Sequence, residues 1–120
     1  GAIYYRELKN QLPPMEAFSL AGMSVGLSLV DVEGVQISDV TFKNFRIDGI
    51  NVHDRCKNII LENVTCTGNG RSGLAVNGTS QVEVIDSVLT ENRINDLLIT
   101  EQGVANLKQT KLGKPATLAP

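Results

Sequence analysis

Tryptophan is absent and aromatic residues make up only 4% of the 120-residue chain, so a core has to be built from aliphatic side chains. Basic residues are not in excess: 11 Lys and Arg face 13 Asp and Glu, for a net charge of −2. A nucleic-acid-binding face normally shows a marked basic surplus, so nucleic acid is not an expected partner. No apolar run approaches the roughly 18 residues of a membrane-spanning helix, and membrane insertion is not expected either. The chain has two cysteines, and the spacing of Cys56 and Cys66 fits neither a disulfide framework nor a metal-ligand motif. No cofactor or metal is implied. No signal-peptide pattern is visible, so the sequence is silent on targeting.

What the chain does contain is a repeat. GLSLVDVEGVQISDVTFKNFRID, GINVHDRCKNIILENVTCTGNGRS and GLAVNGTSQVEVIDSVLTENRIN align almost without gaps, and DLLITEQGVANLKQTKLGKP follows in the same register. Apolar residues recur in columns: Leu27, Ile50, Leu74 and Leu97; Leu29, Val52, Val76 and Ile99; Ile37, Leu61, Val84 and Leu107; Phe42, Cys66, Leu89 and Leu112. Within a repeat, short runs alternate with period two, the signature of strands with one buried face. Three such runs per repeat leave little room for a helix, and the L-x-x-L-x-L signature of a leucine-rich horseshoe is missing. A single repeat cannot bury its apolar side chains, but stacked coils share a continuous core.

The pattern therefore predicts an all-β protein: a right-handed parallel β-helix of about 4–5 coils with a short N-terminal capping helix. Tyr4, Leu8 and Leu12 recur at helical spacing, so residues 1–17 form the expected cap segment, stopped by Pro13-Pro14. Residues 18–112 form the solenoid and 113–120 a flexible tail. Asp39, Asn63, Asp86 and Gln109 share one turn position, and Asn69 and Asn92 another. Asn and Asp tolerate turn conformations, and their side chains can bond from coil to coil.

The G-[IL]-x-V openings and [IVL]-x-[IVL]-x-[ND] middles resemble those of the pectin-lyase-like right-handed β-helix superfamily, over about residues 26–112. That superfamily includes polysaccharide lyases, glycoside hydrolases, epimerases, tailspikes and adhesins. The resemblance implies an extracellular or periplasmic setting and an acidic polysaccharide as partner. GINVHDRCKNIILEN is also similar to the surroundings of the D-P-H-D motif of mannuronan C5-epimerases. Asn51, Val52, His53 and Asp54 fill the four motif positions, and only His53 and Asp54 match.

His53 is the only histidine. Its ordinary pKa near 6.5 suits proton transfer, with Asp54 to orient it and Arg55 beside it. One extra residue lies between His53 and Asn58 relative to the neighbouring coils, so this loop bulges, and loops on rigid scaffolds often carry function. Arg46, Arg71 and Arg93 precede strands and are expected to form a positive rim for an acidic sugar, with Asn51 and Asn77 on the face between. Asn63-Val64-Thr65 and Asn77-Gly78-Thr79 match the glycosylation sequon. A uronate lyase or epimerase would also need a second proton-transfer group, which the sequence does not supply convincingly. The sequence favours a non-catalytic stalk or glycan-binding module of a larger secreted or surface protein, with a polysaccharide-active enzyme using His53 as the alternative. Open solenoid ends would also invite end-to-end association with another chain or with further coils.

Overall fold

The structure, a computed structural model, describes residues 24–120. The expected capping helix lies outside the described residues, and among them there is no helix. The chain runs through strands β1 (Val25–Val30), β2 (Glu33–Ser38), β3 (Thr41–Lys43), β4 (Asp48–His53), β5 (Lys57–Glu62), β6 (Thr65–Thr67), β7 (Ser72–Val76), β8 (Gln81–Ile85), β9 (Val88–Thr90), β10 (Asn95–Thr100), β11 (Val104–Lys108), β12 (Lys111–Leu112) and β13 (Thr117–Ala119). Every third strand joins the same sheet. The first sheet is β1-β4-β7-β10-β13, the second β2-β5-β8-β11 and the third β3-β6-β9-β12. All pairings are parallel. The fold is thus a three-faced solenoid of about four coils, with each residue stacked about 4.8 Å from its counterpart in the next coil.

The register reproduces the apolar columns. Leu27, Ile50, Leu74 and Leu97 are successive partners, as are Ile37, Leu61, Val84 and Leu107, and Phe42, Cys66, Leu89 and Leu112. Most of these side chains are buried in one shared core, so stacking like over like gives each coil the apolar neighbours it lacks alone. Both cysteines are free and buried. Burial pushes the Cys66 thiol pKa far above its ordinary value.

Two local devices hold the coils together. The first is the glycine column Gly26, Gly49, Gly73. A Cβ at Gly49 would lie 2.9 Å from the Gly73 carbonyl oxygen, and one at Gly73 2.9 Å from that of Asp96, so only glycine lets the backbones approach. The second is the turn chemistry. Asp39, Asn63, Asp86 and Gln109 all take the left-handed conformation (φ 62, 56, 51 and 51°), as their shared turn position requires. Asn63 Nδ2 donates to Asp39 Oδ1 at 2.6 Å. Asn69 and Asn92 form a buried ladder: Asn69 Nδ2 donates to Asn92 Oδ1 (2.8 Å), and Asn69 Oδ1 accepts from the Phe45 N–H (3.0 Å). Asp96 ends the ladder by accepting from the Asn92 N–H and Nδ2.

The expected tail, residues 113–120, contains a strand. β13 adds a strand to the first sheet, pairing Leu98, Ile99 and Thr100 with Thr117, Leu118 and Ala119. This offset of 19 is shorter than the 23 or 24 of the inner coils. Lys114 fills the shortened corner: its Nζ donates to the carbonyl oxygens of Asn92, Arg93 and Ile94. In the inner coil the corresponding carbonyls of Asn69 and Arg71 receive backbone N–H groups from the coil below. The ammonium therefore replaces the donors of an absent turn.

Candidate functional site: the outer face of the first sheet

Strands β4 and β7 send Ile50, Val52, Leu74 and Val76 into the core, so Asn51 and His53 face outward. In the stacked register His53 stands between Val30 and Asn77, and Thr100 follows Asn77. Hydrogen bonds link these side chains across coils. Thr100 Oγ1 donates to Asn77 Oδ1 (2.6 Å), Asn77 Nδ2 to Asn51 Oδ1 (3.3 Å), and Asn51 Nδ2 to Asp48 Oδ2 (2.7 Å). Asn51, His53, Asn77 and Thr100, with Ser28, Asp54 and Glu101, line an open, shallow depression of about 500 Å³.

The register contains the expected extra residue. Leu29 pairs with Val52 and Val35 with Ile59, so the offset grows from 23 to 24 across this corner; it falls from 24 to 23 between Val52–Val76 and Ile59–Val82. Asp54 (φ 71°) and Asn58 (φ 57°) are left-handed, as are Asp31 (φ 52°) and Gly34 (φ 76°) at the shorter corner of the preceding coil, so the added residue lies between two turn positions that both coils keep. Cys56 turns inward and is fully buried, with its N–H donating to Ser80 Oγ (3.1 Å). The loop beside His53 is thus pinned to the core rather than free.

His53 Nδ1 lies 3.8 Å from Asp54 Oδ1, with the imidazole 37% exposed. That separation is too long for a hydrogen bond and amounts to an ion pair when the ring is protonated. Arg55 is turned to the coil above, its Nε 3.4 Å from Asp31 Oδ1, while its backbone N–H donates to the same oxygen. The three residues expected to act together are adjacent in sequence, but only His53 and Asp54 border the depression.

The arginines sit elsewhere. Arg71 donates from Nε and Nη2 to the two carboxylate oxygens of Asp48 (3.0 and 2.6 Å). Asp48 is fully buried, and Arg71 is 44% exposed. The hydrogen bonds to Asp48 raise the Arg71 pKa, against an opposing effect of burial. Arg46 and Arg93 are exposed and take equivalent places in their turns, with Gly70 between them; Arg71 instead aligns with Ile47 and Ile94. The three therefore do not form one column. Five residue steps of about 3.3 Å separate the backbones of Asp48 and His53, and Arg71 reaches the strip only through Asp48 Oδ2, which also accepts from Asn51 Nδ2. The depression itself is bordered by the carboxylates of Asp54 and Glu101, with no Lys or Arg.

Thr100 and Glu101 were not singled out by sequence, although Thr100 could have been reached by extending the His53–Asn77 column one coil further. Asp48 carried no such signal. Among the described residues no group of three or more His, Cys, Asp and Glu is placed to hold a metal ion.

A three-sided parallel stack with in-register columns defines the class: a β-solenoid. The chain matches the family described as right-handed β-helix region over residues 22–111, and it belongs to that family. No curated protein and no solved structure shows a significant match.

Proposed function

We propose that this chain is a non-catalytic β-helix module, a glycan-binding or spacer segment of a larger secreted or surface protein. The observation that carries this reading is the separation of the groups that uronate chemistry would need together. Abstracting the C5 proton of a uronate requires a base at that carbon and a cation on its carboxylate. His53 stands at one edge of the first sheet and Arg71 at the other, already committed to Asp48. Asp54 and Glu101 beside His53 disfavour a carboxylate there. The resemblance of Asn51-Val52-His53-Asp54 to the epimerase motif thus lacks the surroundings that would give it the same chemistry.

As a binding module, the chain offers a strip of Asn51, Asn77 and Thr100 for sugar hydroxyls, with one polar rung about every 4.8 Å. An acidic polysaccharide would approach the strip from the Arg46 and Arg93 edge. The test is incubation with alginate and with pectate, following unsaturated uronate by absorbance and epimerisation by NMR, with His53→Ala as control, alongside binding to a glycan array. Binding without turnover, weakened by Arg46→Ala with Arg93→Ala, supports the module. Turnover abolished by His53→Ala would restore the enzyme reading and overturn this one.

A further inference from the structure

The described residues contain two Asn-Gly sequences, Asn69-Gly70 and Asn77-Gly78. Asn-Gly is chemically the least durable dipeptide context for asparagine, because glycine leaves its amide nitrogen unshielded beside the side-chain carbonyl. We propose that Asn77 is this protein's site of spontaneous deamidation, and that Glu101 and Thr100 set its rate.

Packing explains why the sequence is there at all. Gly78 has φ 68° and lies against the backbone of Asp54. A Cβ at Gly78 would lie 2.5 Å from the Asp54 carbonyl oxygen and 3.0 Å from its N and Cα, so no larger residue fits. Asp54 presses there within the loop that holds the extra residue beside His53. The irregular coil thus imposes glycine directly after an asparagine of the polar strip.

The reaction needs the Gly78 nitrogen to reach Asn77 Cγ. A nitrogen–carbon bond forms, the nitrogen's proton passes to water or hydroxide, and the side-chain amide nitrogen takes a proton from water as its bond to Cγ breaks and leaves as ammonia, giving a cyclic imide. Water then adds to either ring carbonyl and breaks its bond to nitrogen, leaving aspartate or isoaspartate. Three hydrogen bonds oppose the first step. The Gly78 N–H donates to Glu101 Oε1 (2.8 Å), Thr100 holds Asn77 Oδ1, and Asn51 holds Nδ2. All three involve side chains at a solvated surface, which open far more readily than a core.

Asn69 differs. It is fully buried, and its amide bonds to the Phe45 N–H, the Phe42 carbonyl and Asn92. Gly70 N–H donates to the Phe45 carbonyl oxygen (2.8 Å). Freeing Asn69 requires the coils to part. Conversion at Asn77 also has a consequence for the face: a carboxylate would meet Asn51 Oδ1, acceptor against acceptor, and add a negative charge between Asp54 and Glu101.

The experiment is incubation of the folded protein at mildly alkaline pH, with peptide mapping by mass spectrometry to resolve aspartate and isoaspartate at each site. A urea-unfolded sample serves as the reference, and circular dichroism confirms the fold of each variant. Conversion is expected at Asn77 before Asn69, and more slowly than in the unfolded chain. Glu101→Ala and Thr100→Val are each expected to speed Asn77 by up to about tenfold, the scale of one released hydrogen bond, and to leave Asn69 unchanged. Conversion at Asn69 first, unchanged rates in both variants, or equal acceleration at both asparagines would overturn the proposal.

Discussion

Asn92→Ala is the substitution expected to expose how this solenoid is held together. Asn92 Oδ1 accepts from both the backbone N–H and the Nδ2 of Asn69 (3.0 and 2.8 Å). Its Nδ2 donates to the Cys66 and Thr90 carbonyls and to Asp96 Oδ1. Truncation leaves the Asn69 N–H facing a void, and an orphaned buried donor costs about 1–3 kcal/mol. Loss of the remaining bonds and of packing raises the expected total to about 3 kcal/mol. Set against a total stability of about 5–15 kcal/mol for an ordinary domain, that is a large fraction. Urea titration followed by far-UV circular dichroism measures it, with an unchanged m value showing that the folded state keeps its compactness. Asn63→Gly is the comparison. It removes the 2.6 Å bond to Asp39, but at an exposed turn whose φ of 56° suits glycine, so the change should stay within about 0.5 kcal/mol. A loss below about 1 kcal/mol for Asn92→Ala, or equal losses for the two variants, would refute the view that the buried asparagine ladder is a main source of cohesion.

Three further outcomes follow from particular contacts. Arg71→Gln should destabilise by about 2 kcal/mol, less than for a fully buried pair because the guanidinium is partly solvated, and adding Asp48→Asn should recover part of that loss in a double-mutant cycle. Because the Arg71 pKa is raised on folding, the contribution of its charge is fully present below the unfolded pKa and fades only as pH rises through the folded one, so it should be constant across the neutral range. Cys66 should resist thiol reagents in the native protein and react in urea, since burial disfavours its thiolate; rapid native labelling would contradict its interior position. Lys114→Ala should raise hydrogen exchange in β13 while leaving β4 and β7 unchanged, as measured by mass spectrometry.

The inner coils were legible in the sequence because parallel in-register stacking places equivalent residues over one another, so a structural column is also a sequence column. The same logic located the extra residue beside His53. It failed where the repeat changes length: β13 pairs at an offset of 19, and a reading that expects 23 or 24 sees only a tail. It does not set the arginines in one column. Arg46 and Arg93 share a turn position, but Arg71 is shifted by one residue beside Asp48, whose complete burial no local pattern announces. The site is legible as a polar strip and no further, because the distance between its two edges depends on which end of a strand each residue occupies.

Before the shortened last corner, the solenoid's register is regular except beside His53. Backbone nuclear Overhauser contacts between neighbouring strands test it most directly. Contacts should join Leu29 to Val52 and Val35 to Ile59, and then Val52 to Val76 and Ile59 to Val82, with the offset changing by one on each side of His53. A constant offset through residues 53–58, or antiparallel contacts anywhere in the first sheet, would contradict it.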